Sequence, residues 1–289
     1  SKHRSSPNRE DRKLVFEEFW KVWKKYERTM GATLYSKIQG SLFYTRARKY
    51  SSSRERALSG ENIPESVYDT LIQETNANLS TLHRYFRLRA KMLKIEDLRY
   101  HDIYPPLIEL DKRFSFEDSK KISLEAVKPL GAEYYETMKG TLEGDWSHVY
   151  PNQGKRSGAY MNGSAYDVHP YVLLNHNDDY DSMSTFAHEW GHAMHSVLSN
   201  AAQPFHKSSY SIFVAEIASI TNERLLQDLM LKRAESDQER LFYLGTSLEQ
   251  MRGTFFRQAM FAEFEALIHQ RVQEGAALSG EEFTAMYTE

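Results

Sequence analysis

Two histidines four residues apart constrain this chain more than any other feature. His188-Glu189-Trp190-Gly191-His192 lies within a run whose apolar positions, Phe186, Trp190, Met194 and Val197, recur at helical spacing. Residues i and i+4 share one helical face. The two imidazoles therefore project together, opposite a buried apolar stripe. Neutral imidazoles are good zinc ligands, and a catalytic zinc takes three protein ligands and a water. Glu189, beside the first imidazole, can accept a proton from that water. Random placement of the chain's 11 His and its Glu residues would produce this spacing about 0.04 times in a sequence of this length. A surface helix with two solvated His is the competing reading, and the Phe, Trp and Met flanks argue against it. Gly191 costs roughly 1 kcal/mol against Ala inside a helix, which points to close approach of a neighbouring element. Asp178, Asp179, Asp181 and Ser182 are candidate caps for the helix.

A zinc site needs a third ligand. His195, three residues after His192, is one candidate, although three ligands from one short stretch would be crowded. Acids further along are the others. Glu216 falls among Phe213, Val214, Ile217 and Ala218 on the next expected helix, Ser211–Met230. An unpaired carboxylate is costly to bury on an apolar stretch, so Glu216 is taken as the ligand; exposure or pairing with an Arg is the alternative. Ser219 and Glu223 follow on the same face. They could orient the imidazoles, although for Glu223 a solvated face serves equally well.

Composition narrows the remaining classes. The chain has 289 residues, no Cys, 37 basic and 40 acidic residues, and a formal net charge of −3. Disulfides and thiolate chemistry are excluded, and a reducing cytoplasm fits. No basic field points to nucleic acid, and no apolar run approaches the roughly 20 residues of a membrane span. Most of the chain reads helical. Val15, Phe16, Phe19, Trp20 and Trp23 form one wide apolar face, and a further helix runs from Pro64 to Leu88. Residues 144–180 differ: Gly and Pro punctuate short β-prone runs at Ser157–Tyr160 and Tyr171–Leu174. A small sheet is expected immediately before the metal helix. Ser279 with Glu282 reads as a capping box that opens a helix carrying Phe283, Met286 and Tyr287, about two turns of it before Glu289, and continuation of the natural protein beyond Glu289 is expected. Ser1–Arg12 is polar and lacks an apolar h-region, so it is neither signal nor transit peptide.

His188–Ser196, HEWGHAMHS, followed by Phe213–Glu223, FVAEIASITNE, closely resembles the oligoendopeptidase F branch of the thimet oligopeptidase family. Ala47–Tyr50, Asn62–Pro64, Lys155–Tyr160 and Arg257–Glu265 fit it too, so the similarity runs from about Lys13 to Glu289. The resemblance implies a mainly α, zincin-like helical peptidase core with a small β-sheet beside the active-site helix. It implies one Zn2+ per chain, held by His188, His192 and Glu216, with Glu189 as base. It also implies an endopeptidase that cleaves short oligopeptides; a cytoplasmic location with no nucleic-acid or membrane partner is expected from the composition above, and the oligomeric state stays unassigned. Ser219, Glu223 and His195 are expected around the ligands. In this family the substrate pairs with an edge strand, placed here at Gly158, Ala159 and Tyr160 or at Tyr171–Asn175. His206, on the connection between the two metal helices, either touches substrate or is a plain loop residue. A disordered or non-native tail is expected over 1–12, and a catalytic region, truncated at both ends relative to the family, over 13–289. The family's intermediate-stabilising His and Tyr would fall after Glu289. The alternative function is thus a catalytically incomplete zinc- and peptide-binding protein.

Overall fold

The computed structural model describes residues 2–288, and the chain divides into two compact units: Ser1–Glu109 with Gly245–Glu289, and Leu110–Leu244. The first unit holds α1 (Arg9–Lys24), α2 (Glu27–Ala47), α3 (Ser53–Ser59), α4 (Glu65–Ala77) and α5 (Leu79–Leu93). The second holds α6 (Phe116–Ala126), α7 (Ala132–Leu142), β1 (Ser147–His148), β2 (Tyr160–Asn162), β3 (Tyr171–Leu173), α8 (Tyr180–Ala202) and α9 (Ile212–Arg233). Helix α10 (Asp237–Met251) carries the chain from the second unit back to the first. A π-helical turn, Arg252–Phe256, leads into α11 (Arg257–Gln273), and α12 (Gly280–Thr288) follows. The mainly helical class with one small sheet agrees with the expectation. No helix among the described residues is long and apolar enough to cross a membrane.

In the first unit, Ile38 and Leu42 of α2 pack with Ile268 and Val272 of α11 and Phe283 of α12. The Ser279 box forms as expected: its Oγ accepts from the Glu282 N–H and Glu282 Oε2 accepts from its N–H. The disorder expected over 1–12 does not extend to residues 8–12. Arg9 opens α1 behind an Asn8 cap, and Arg9 and Arg12 both pair with Asp102 at 2.9 and 2.8 Å. Arg12 is buried because that carboxylate is buried, and a charge withdrawn from water needs a partner. Two helical expectations also change. The helix from Pro64 breaks at Asn78, whose Nδ2 donates to the Glu74 carbonyl, giving α4 and α5. Moreover, Phe19, Trp20 and Trp23 of α1 stay 43–49% exposed.

In the second unit the sheet order is β1-β3-β2, with β1 parallel and β2 antiparallel to β3. Val172 and Leu174 donate to the Trp146 and His148 carbonyls on the β1 side, and Val172 with Leu174 is buried. Those side chains pack with Phe186, Trp190, Ala193 and Met194 of α8. The sheet is thus the platform behind the face of α8 opposite His188 and His192.

Candidate metal centre

Asp179 is the cap that α8 uses, accepting from the Ser182 N–H at 2.8 Å. On the packed side, Trp190 is 1% exposed and its indole N–H donates to Thr141 Oγ1 at 3.1 Å. That bond and the stacked Phe186 ring hold α8 in one rotation about its axis, which aims His188 and His192 away from the core.

Helix α9 lies against α8 at Gly191. A Cβ there would fall 2.6 Å from Ser219 Cα and 2.7 Å from the Ala218 carbonyl oxygen. Only a residue without Cβ permits that approach, which answers why Gly191 is tolerated inside a helix. The approach brings Glu216 to the two imidazoles. His188 Nε2 lies 3.2 Å from His192 Nε2, and Glu216 Oε2 lies 3.4 and 3.5 Å from them. Zinc with ligand bonds of 2.0–2.2 Å in tetrahedral geometry requires ligand–ligand edges of about 3.3–3.5 Å. The three atoms therefore form one face of a tetrahedron of the right size, built from two neutral-capable nitrogens and a carboxylate oxygen. Among the described residues this is the one group of three or more such side chains with converging ligand atoms. His195, the competing candidate, is not in it.

The surrounding groups orient the three. His188 Nδ1 bonds to Glu223 Oε1, which leaves Nε2 facing the centre. Burial works against protonating His188, but Glu223 and nearby carboxylates more than offset it and raise its pKa. His192 moves the other way, lowered by burial and then by the neighbouring His188. Ser219 is fully buried and its Oγ donates to Glu216 Oε2 at 2.7 Å. Glu189 is 6% exposed. Burial, with Glu216 adding to it, pushes its pKa up to about 7, against the lowering effect of His188 and of a hydrogen bond from the Met161 N–H.

That last bond places β2 at the site. Tyr160 and Asn162 register with Leu173 and Tyr171, while Val172, opposite Met161, turns its N–H to β1. Met161 therefore presents its peptide groups to the free edge of β2, with its N–H on Glu189. The sequence carried no sign of this contact, because it belongs to a backbone group. Of the expected strand positions, only Tyr160 is in β2. Gly158 has φ +87° and sits in the preceding turn, where Asn175 Nδ2 donates to its carbonyl; Ala159 follows it. Tyr171–Asn175 is not an edge, since β3 is central. His195 stacks on Tyr210 with ring centroids 3.7 Å apart. Tyr210 OH in turn bonds Ser196 Oγ at 2.7 Å. His206 lies exposed in the short turn Phe205–Lys207. Asn222, which the sequence did not single out, takes a hydrogen bond from Tyr134 OH at 3.2 Å and faces the Ala187 carbonyl.

The model of Peptidase family M3 matches residues 2–289. Oligopeptidase PepF of Bacillus subtilis is 44% identical over 283 residues, covering 98% of this chain and 42% of the relative. A solved structure from Chlamydophila abortus superposes with a TM-score of 0.87 at 38% identity, covering 99% of this chain and 48% of its own. Oligoendopeptidase-F from Enterococcus faecium superposes at 0.70 with 30% identity, covering 100% of this chain and 46% of its own. The chain thus spans about half the length of the relatives it matches.

Proposed function

The chain belongs to Peptidase family M3, and from that premise we propose that it carries the zinc site of an endopeptidase hydrolysing short oligopeptides. The observation that carries this reading is the near-equilateral triangle of His188, His192 and Glu216, with Glu189 beside it. One Zn2+ held by those three would supply a Lewis acid that lowers the pKa of water to about 7 and polarises the scissile carbonyl. Glu189 takes a proton from the attacking water and returns it to the leaving amine. The Met161 N–H holds Glu189 in place. The peptide substrate adds as a strand along the free edge of β2, next to the Met161 carbonyl. Strand addition reads backbone rather than side chains, which suits a broad specificity for short peptides. Absence of Cys fits a cytoplasmic site of action.

The test is turnover of an internally quenched peptide of about ten residues with added zinc, by the chain and by Glu189→Gln, with bound zinc measured in both. The expected result is cleavage by the first, loss of at least about a hundredfold in the second, and equal zinc content. Zinc loss in Glu189→Gln would show that Glu189 has another role. Equal zinc content with no turnover by either would favour the second reading, a chain that binds metal and peptide without completing hydrolysis.

A further inference from the structure

The first unit contains a cavity of about 1120 Å³ walled by α2, α3, α4 and α11. Small-molecule sites usually measure about 300–1,000 Å³, so the space admits a ligand of several residues' bulk. All its lining residues belong to the first unit, whereas the metal triangle belongs wholly to the second. One wall is apolar: Leu34, Ile38, Phe264 and Ile268.

Three polar groups on the lining lack the partners that their neighbours have. Arg54 is paired with Glu65 at 2.8 Å and Asp69 at 2.7 Å. Arg56, two residues on, reaches only hydroxyls, Thr45 Oγ1 at 3.2 Å and Ser41 Oγ at 2.8 Å. It forms no ion pair among the described residues. Glu265 lines the same space and likewise forms no ion pair among the described residues. His269 lies within the electrostatic reach of both, raised by Glu265 and lowered by Arg56, with burial the largest lowering influence. Its Nδ1 is buried without a hydrogen-bond partner. A buried polar atom left unpaired costs free energy. Lys37 and Glu274 also line the space without an ion pair among the described residues, but Arg56 and Glu265 are the cation and anion whose charges both reach His269, and such a pair on an apolar-walled space has a specific complement.

We propose that this cavity is a binding site for a small zwitterion with an apolar side chain, a free amino acid or a dipeptide. Its carboxylate rests on Arg56, its ammonium on Glu265 and its apolar body against Leu34, Ile38 and Phe264. His269 Nδ1 supplies the remaining polar contact. The inference concerns a site outside the metal centre and does not need that centre to be active.

Calorimetric titration of the zinc-loaded Glu189→Gln chain with Leu-Phe, free Phe, N-acetyl-Leu-Phe and Leu-Phe amide tests it. Leu-Phe or free Phe binds, and whichever is tighter identifies the source. Blocking either charged end weakens binding about tenfold or more. Arg56→Gln weakens the zwitterion by a similar factor but leaves the amide unchanged, and Glu265→Gln does the same for the acetylated form. Gly40→Trp provides a variant that removes no polar group. Gly40 lines the cavity, and a Cβ added there meets nothing within 4 Å, so the indole fills the space and abolishes binding while helicity is retained. Absence of binding, or binding that survives both Gly40→Trp and Arg56→Gln, overturns the proposal.

Discussion

Gly191→Ala is the substitution that most directly probes how the site is held. On helix propensity alone it should stabilise α8 by about 1 kcal/mol. The new methyl, however, would stand 2.6 Å from Ser219 Cα, whereas ordinary contact begins at 3.4 Å. Helix α9 must therefore retreat by roughly 0.8 Å, and overpacking of this kind costs about 1–3 kcal/mol. The net expectation is a loss of up to about 2 kcal/mol. Glu216 rides on α9 three residues before Ser219. Its 3.4 and 3.5 Å separations from the imidazoles would open towards about 4 Å, beyond what a tetrahedral zinc spans. Zinc affinity should fall tenfold or more. Urea unfolding gives the first quantity and competition with a chromophoric chelator gives the second. A variant that is more stable than the parent and binds zinc equally well would refute the reasoning, because it would show that α9 is not positioned by this contact.

Glu223→Gln, which keeps shape but removes the charge on His188 Nδ1, should weaken zinc binding about 10- to 100-fold, read by the same competition. Trp190→Ala should destabilise by about 3–5 kcal/mol, since it empties a fully buried site and strands Thr141 Oγ1; a loss under 1 kcal/mol in urea unfolding would contradict the packing described. Burial alone would raise the Asp102 pKa, but hydrogen bonds from Arg9 and Arg12 outweigh it and hold it at about 2, against 3.8 for a free Asp. Its stabilisation, about 2 kcal/mol, is full above pH 4 and is lost as pH falls towards 2. The stability gap between the parent and Asp102→Asn should accordingly narrow by that amount over the same range, and a gap constant with pH would exclude the ion pairs as its cause.

The helix that carries His188 and His192 was legible because its signals are local: period 3.6, a carboxylate cap and two His one turn apart. Glu216 was legible more weakly, as a carboxylate among apolar neighbours. Spacing alone could not separate it from His195, and what separates them is the approach of α9 at Gly191. The β-prone run at Ser157–Tyr160 gives way to a strand at Tyr160–Asn162, because Gly158 takes a left-handed conformation that no strand continues through. Arg12 looked solvated since its partner, Asp102, is 90 residues away in sequence. The break at Asn78 had no Pro or Gly to announce it. Burial of charge and backbone contacts such as Met161 to Glu189 arise only once distant segments meet.

All three proposed ligands come from a 29-residue stretch, 188–216, of two consecutive helices in one unit. An ion there acts as a clip across a single helix–turn–helix. Closing so short a loop costs little chain entropy, so the pocket can assemble early and without the rest of the chain. The stabilisation that a bound ion supplies, which grows with the logarithm of its free concentration, is then delivered to α8 and α9. Metal should slow hydrogen exchange in those two helices first, while the amides of α2, α11 and α12 report little of it.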